Sequence, residues 1–205
     1  MKAASQWLGG KEIDISSIPE AELDNLLQAP NHYGFHATIK PPFRLKDGYT
    51  LNDVENELAE FTKELQPFFL PPLELARINN FFCLRPKHES KELSILAAEA
   101  VRRFDHFRRP VEEAELAQRR AAGLSERQEQ LLQQWGYPYV LDEFRFHLTL
   151  TGNIKNENQA ELLRRELSLR FDPALEEPVW FDELCLFVQQ GNRAFTEHTC
   201  FPFGR

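Results

Sequence analysis

Two short triplets, each a histidine followed two residues later by a threonine, carry the residue types in this sequence that are best suited to chemistry. They are His36-Ala37-Thr38 and His147-Leu148-Thr149. An imidazole accepts or donates a proton near neutral pH, and a threonine hydroxyl hydrogen-bonds an oxygen of a phosphate group. Side by side, the two pairs would supply a general base, a general acid and two phosphate contacts. We therefore interpret His36, Thr38, His147 and Thr149 as a catalytic set for phosphoesters.

Each triplet lies in a stretch where apolar and polar residues alternate, which predicts strands over residues 34–40 and 144–151. Side chains two apart on a strand share a face, so Lys40 is predicted beside His36 and Arg145 beside His147. These two cations would offset negative charge on a bound phosphate. Tyr33 and Tyr139 flank the motifs and are further candidates for substrate binding, by stacking on a ring, with simple packing as the alternative.

A structural role is the ordinary explanation for one histidine in a strand, but two matching triplets favour function. Zinc is the competing use of paired histidines. It requires further protein ligands at suitable spacing, and a threonine two residues after histidine is a poor one. The sequence therefore predicts no metal and no other cofactor.

The elements around the triplets form a degenerate internal repeat. Residues 31–90 and 140–205 both show the order histidine strand, helix, strand, turn, strand, and residues 91–135 between them have a helical pattern. We expect one bilobal domain over residues 1–205, with residues 91–135 as a helical insertion. A pseudo-twofold axis between the repeats would bring the two histidines together.

Composition narrows the class of partner. The 205 residues carry a net charge of −8, with 42% apolar and 27% charged residues. An acidic surface is a poor match for long nucleic acid and leaves a small phosphorylated substrate as the predicted partner. Neither a signal peptide nor a membrane-spanning run is found, so a cytoplasmic location is expected. The odd cysteine count, without a C-x-x-C pair, predicts buried, reduced thiols at Cys83, Cys185 and Cys200.

The motifs F-H-A-T-I and F-H-L-T-L resemble the tandem H-x-T signature of the 2H phosphoesterase superfamily. Longer phrases, at residues 33–45, 135–140 and 142–152, resemble its DUF1045 branch, which is often encoded with phosphonate-utilisation genes. The resemblance implies an α+β bilobal fold in which two antiparallel sheets with outer helices surround a central cleft. It further implies His36 and His147 as the acid/base pair, Thr38 and Thr149 as phosphate anchors, and a strand before Trp7-Leu8-Gly9.

Together these observations predict a metal-independent phosphoesterase that hydrolyses a small cyclic phosphodiester, such as a ribose cyclic phosphate or a 2′,3′-cyclic nucleotide, in phosphonate metabolism. Two alternatives stay open from the sequence. One is an RNA 2′–5′ ligase or RNA-end phosphodiesterase. The other is a non-catalytic module that binds a phosphorylated metabolite or nucleotide.

Overall fold

The computed structural model describes Trp7 and residues 18–204. The strand expected before Trp7-Leu8-Gly9 lies outside the described residues. Within the described part, helices and antiparallel strands are interspersed along the chain, which confirms the α+β class.

Six α-helices are described, and four of them begin where the side chain of the preceding residue caps the first turn. Thr50 and Ser125 form full capping boxes with Asp53 and Gln128, and Ser90 and Asn156 each accept a hydrogen bond from a backbone amide of the first turn. These contacts satisfy amides that have no partner inside the helix. The helices are α1 (Glu20–Tyr33), α2 (Leu51–Glu64), α3 (Lys91–Arg103), α4 (Glu113–Arg120), α5 (Glu126–Trp135) and α6 (Glu157–Phe171).

The strands form three separate antiparallel ladders, where the sequence predicts two sheets. One ladder has the order β2-β3-β4, the second pairs β1 with β5, and the third pairs β6 with β7. The strands are β1 (Phe68–Leu70), β2 (Leu73–Ile78), β3 (Phe81–Pro86), β4 (Leu148–Thr149), β5 (Val179–Phe181), β6 (Glu183–Val188) and β7 (Thr196–Pro202).

Two apolar cores flank these ladders. The first packs α1 and α6 against one face of the β2-β3-β4 ladder, and Trp7 is fully buried in it, with its indole N–H donating to the carbonyl of Leu150 at 2.8 Å. The second packs α2 and α3 against β6, β7 and residues near β1. A smaller cluster joins Val101 of α3 to Leu131 of α5 and to Val140.

Three predicted strands are shorter or broken in the structure. The stretch 34–40 makes only an isolated bridge at Ala37, and the stretch 144–151 pairs as a strand only at Leu148–Thr149. The first bends at residues 39 and 40, and Pro41-Pro42 then offer no amide hydrogens to extend a ladder. The predicted strand 179–188 divides at Asp182, whose carbonyl accepts a hydrogen bond from the amide of Phe203.

The cysteine prediction is wrong for two of the three residues. Cys185 and Cys200 form a disulfide, because they are directly opposite each other in the β6–β7 ladder with their Cα atoms 4.0 Å apart. Cys83 is a free, buried thiol as predicted. Among the described residues, the helices are all too short or too polar to cross a membrane.

Candidate phosphate-binding site

The two histidine triplets lie against each other at the junction between the two cores. Ala37 and Leu148, the central residues of the triplets, form an antiparallel bridge. In an antiparallel pair, this register places His36 opposite Thr149, and Thr38 opposite His147. Directly opposite side chains on a shared face have Cβ atoms about 4.5–5.5 Å apart. The bridge therefore assembles four polar side chains, which we call the His-Thr quartet: His36, Thr38, His147 and Thr149.

Apolar residues next to the quartet anchor both segments in both cores. Phe35 packs against the first core and Ile39 against the second. In the other segment, the ring of Phe146 contacts that of Phe181 at a centroid distance of 6.3 Å, while Leu148 packs against the first core. Each segment thus crosses from one core to the other, which holds the quartet at their boundary.

Strand β3 supplies the other neighbour of the second triplet. Its register pairs Cys83 with Thr149 and Leu84 with Leu148. Cys83 therefore shares a face with Thr149, yet its side chain is fully buried. Desolvation raises the pKa of the Cys83 thiol to about 12, so this thiol is uncharged below the quartet at neutral pH.

Both histidines are oriented by the same backbone contact. His36 Nδ1 is 3.1 Å from the carbonyl oxygen of Gly34, and His147 Nδ1 is 2.8 Å from that of Arg145. A carbonyl oxygen only accepts hydrogen bonds, so Nδ1 carries the hydrogen in each ring and Nε2 is left for other partners. At His36 that partner is the Thr38 hydroxyl, with Oγ1 3.3 Å from Nε2.

Each imidazole also has a phenylalanine neighbour. The ring of Phe187 on β6 is 5.4 Å from His36, and the ring of Phe81 on β3 is 5.7 Å from His147 (centroid distances). The two half-sites therefore match in four respects: the histidine, its threonine, the carbonyl two residues earlier and the aromatic neighbour. Sequence reasoning missed Phe81 and Phe187, although both fall in predicted strands of the two repeats.

Lys40 was predicted beside His36, but the structure directs its ammonium group elsewhere. Lys40 Nζ donates to the carbonyl of Val101 in α3 at 3.2 Å and lies 5.2 Å from the ring centroid of Phe43. Burial lowers the pKa of Lys40 to about 8, an effect that Asp105 opposes and Arg108 reinforces. The bend at residues 39 and 40 ends the alternation that the prediction assumed, and we leave Lys40 out of the site.

The other predicted binding residues lie at the surface. The Arg145 side chain is 60% exposed, with a guanidinium nitrogen 3.9 Å from a carboxylate oxygen of Glu143. This geometry leaves the guanidinium able to reach an anion. Tyr139 is exposed and contacts Tyr137 edge to face, with ring centroids 5.8 Å apart. Tyr33 is the last residue of α1, and the placement of its side chain lies outside the described part.

The deepest concavities do not coincide with the quartet. A cleft of about 480 Å³ is lined by residues from the 105–111 segment and α5, including Arg108 and Gly136. A smaller one of about 190 Å³ lies between β2 and α6. Neither is lined by a residue of the quartet, which is instead an open, partly exposed surface.

Comparison with known proteins identifies the family. A family model described as "Protein of unknown function (DUF1045)" matches residues 38–196. The chain belongs to the DUF1045 family, as its longer sequence phrases predicted.

Two curated relatives extend the comparison. A protein of Janthinobacterium sp. (strain Marseille) is 37% identical over 214 residues, covering 98% of this chain and 47% of the relative. A protein of Laribacter hongkongensis (strain HLHK9) is 33% identical over 190 residues, covering 90% of this chain and 44% of the relative. Both are named ribose 1,5-bisphosphate phosphokinase PhnN. The chain thus spans about half the length of the curated relatives it matches.

These names correct the predicted function. A phosphokinase transfers a phosphoryl group to its substrate, whereas the sequence predicted hydrolysis of a small cyclic phosphodiester. The prediction of a cyclic phosphodiesterase is therefore wrong. The names do agree with the broader expectations of an enzyme and of a small phosphorylated substrate, and the substrate they specify is a sugar bisphosphate.

Proposed function

We propose that this chain binds a phosphorylated ribose at the His-Thr quartet, as the sugar-phosphate-binding part of a phosphoryl-transfer enzyme. The observation that carries the proposal is the Ala37–Leu148 bridge, which brings the two triplets together on one face. The family membership, the printed names of the relatives and the chemistry of the four side chains support it.

The donor set of the quartet suits a phosphate group. A phosphate monoester presents three acceptor oxygens and carries close to two negative charges at neutral pH. The hydroxyls of Thr38 and Thr149 can each donate one hydrogen bond to these oxygens. The Nε2 atoms of His36 and His147 donate to phosphate when the ring is protonated and accept from a ribose hydroxyl when it is neutral. Arg145, exposed beside His147, adds a guanidinium that can pair with a second phosphate of the sugar.

Division of labour follows from the lengths of the relatives. More than half of each relative lies outside the region that this chain matches. The dipeptide Gly-Lys occurs in this chain only at residues 10–11, and it is followed by Glu12 rather than by Ser or Thr. A nucleotide-binding loop of the G-x-x-x-x-G-K-[ST] type, which would hold the phosphoryl donor, is therefore assigned to the remaining part of the relatives.

The proposal includes a finer interpretation of the fold. We propose that the chain is one bilobal domain of the 2H type, in which residues 31–90 and 140–205 are the two repeats and residues 91–135 the insertion. The matched half-sites support this symmetry. A role in phosphonate metabolism, the setting expected for the DUF1045 branch, is proposed on the same basis.

Isothermal titration with ribose 5-phosphate and with ribose 1,5-bisphosphate tests the proposal directly. We expect both to bind, and His36→Asn or His147→Asn to weaken the Kd roughly 10- to 100-fold, because one charge-assisted hydrogen bond contributes about 1.5–3 kcal/mol. His106→Asn is the matched control, since His106 is an exposed histidine that also contacts a backbone carbonyl, that of Arg103.

Two further arms make the result decisive. Thr38→Val and Thr149→Val should each weaken binding while keeping the shape of the side chain. Unchanged affinity in both histidine variants, or a loss of affinity in His106→Asn as large as theirs, would contradict the assignment of the site. Absence of sugar-phosphate binding by the wild-type chain would refute the proposed function.

A further inference from the structure

The β6–β7 hairpin has one face in the second core and one face turned away from it. Leu184 and Leu186 of β6 pack into the second core. Side chains alternate along a strand, so Glu183, Cys185 and Phe187 share the opposite face. Phe187 contacts the ring of His36. The second face of the hairpin is therefore turned toward the His-Thr quartet.

Three potential metal ligands cluster on that face. Cys185 pairs with Cys200 across the ladder, and Glu183 is two residues before Cys185 on the same side of β6. One donor atom from each of Glu183, Cys185 and Cys200 lies within 4.8 Å of the other two. Both cysteines are half-buried and Glu183 is exposed, so a solvated ion can reach all three.

We propose that Glu183, Cys185 and Cys200 bind Zn²⁺ when the disulfide between the two cysteines is reduced. Two thiolates and one carboxylate suit a borderline-soft ion such as Zn²⁺, whereas Mg²⁺ and Ca²⁺ prefer sites made only of oxygen. Three protein ligands leave the fourth tetrahedral position to water. The site is independent of the function proposed for the quartet and shares no residue with it.

Oxidation state decides whether this site exists. In the disulfide, neither sulfur is a thiolate, so the metal loses two of its three protein ligands. A dithiol reductant transfers two electrons and two protons to the disulfide, which gives two thiols here and one new disulfide in the reductant. Zn²⁺ then displaces the two thiol protons to solvent and forms two Zn–S bonds. The disulfide and the metal therefore exclude each other, and either one links β6 to β7 at the same pair of residues.

Cys83 provides an internal contrast. It is fully buried, and burial raises the pKa of its thiol to about 12, so it yields a thiolate far less readily than an exposed cysteine. It belongs to no three-ligand cluster among the described residues. We therefore expect metal binding to depend on Cys185 and Cys200 alone among the three cysteines.

Cobalt substitution with the full chain tests the inference. We expect the reduced protein to bind one equivalent of Co²⁺ with thiolate-to-cobalt absorption that Zn²⁺ abolishes on titration, and the oxidised protein to show neither. Cys185→Ser and Cys200→Ser should each weaken Zn²⁺ binding at least 100-fold, and Glu183→Gln about 10-fold. Cys83→Ser and Glu176→Gln, an exposed glutamate outside the cluster, should bind as the wild type does.

The contrary outcomes are distinct. Equal Zn²⁺ affinity in the oxidised and reduced proteins would overturn the inference, as would retained affinity in the Cys185→Ser, Cys200→Ser double variant. Binding without thiolate-to-cobalt absorption would place the metal elsewhere and would also overturn it. Should Cys83→Ser fail to fold, Glu176→Gln still serves as the control. Sugar-phosphate titrations of the same samples report separately on the quartet.

Discussion

The buried ammonium group of Lys40 gives a quantitative test of the structure. Its pKa falls from 10.5 to about 8, chiefly because burial removes the charged form from water. One pKa unit corresponds to about 1.4 kcal/mol, so the folded state disfavours the charged amine by about 3 kcal/mol. Lys40→Met removes this cost and also the hydrogen bond to Val101, which contributes about 1 kcal/mol. At neutral pH we expect the variant to be more stable than the wild type by about 2 kcal/mol.

The pH dependence gives the sign independently of the other lost contacts. Below about pH 8 the amine is charged in both the folded and the unfolded chain, and its full cost is present. Between about pH 8 and 10.5 the folded protein releases the proton while the unfolded chain keeps it. Because the unfolded state then binds more protons, the free energy of unfolding rises with pH. The wild type should therefore gain about 2.5 kcal/mol relative to Lys40→Met between about pH 7 and pH 10.

Urea denaturation of both proteins at several pH values in this window measures the effect. Only the difference between the two proteins is used, since Cys83 and the tyrosines titrate in both. A difference that stays constant with pH would show that the amine is solvated in the folded chain and would refute the assignment of Lys40 to the Val101 contact. Sugar-phosphate affinity should be unchanged in Lys40→Met, because the amine is directed away from the quartet.

Three other substitutions test the packing that positions the site. Gly136→Ala should destabilise by roughly 1–3 kcal/mol more than Gly123→Ala in urea, because both glycines have positive φ but only at Gly136 would a Cβ lie 2.7 Å from Val111. Equal costs would contradict the close approach. Ser125→Ala should lower the free energy of unfolding by about 1 kcal/mol through loss of the α5 capping box, and an unchanged thermal midpoint would argue against that cap. Trp7→Phe should cost about 2–3 kcal/mol, since it leaves the Leu150 carbonyl unpaired in the first core; a cost below about 0.5 kcal/mol would show that the hydrogen bond is not formed.

Sequence reasoning succeeded where the signal is local. The capping boxes at Thr50 and Ser125 and the turn at Asn79-Asn80 depend on neighbouring residues, and all three are present. Alternation also predicted correctly that Phe35 and Ile39 face the cores. It failed for Lys40, because the bend at residues 39 and 40 results from the following prolines and from tertiary packing on α3.

Long-range pairing explains the other differences. The disulfide depends on the register of β6 with β7, and the register is set by the core face of the hairpin rather than by the spacing of the cysteines. The bridge of Ala37 to Leu148 is similar, since no local pattern specifies which residues of two distant segments meet. The repeat predicted that the two histidines approach each other, but the crossing of His36 with Thr149 and of Thr38 with His147 follows only from the structure.

The burial of Cys83 makes the quartet accessible to a kinetic measurement. While Cys185 and Cys200 are paired, Cys83 is the remaining thiol, and it is fully buried beside Thr149 in the ladder. A thiol reagent can modify it only when β3 separates from the segment that carries Thr149, so the alkylation rate in the oxidised protein reports the free energy of that local opening. A ligand that bridges the two triplets binds only the closed form and must slow the alkylation in proportion to its occupancy. The same cysteine that is chemically inert in the folded state thus serves as a built-in probe of how firmly the two halves of the site are joined.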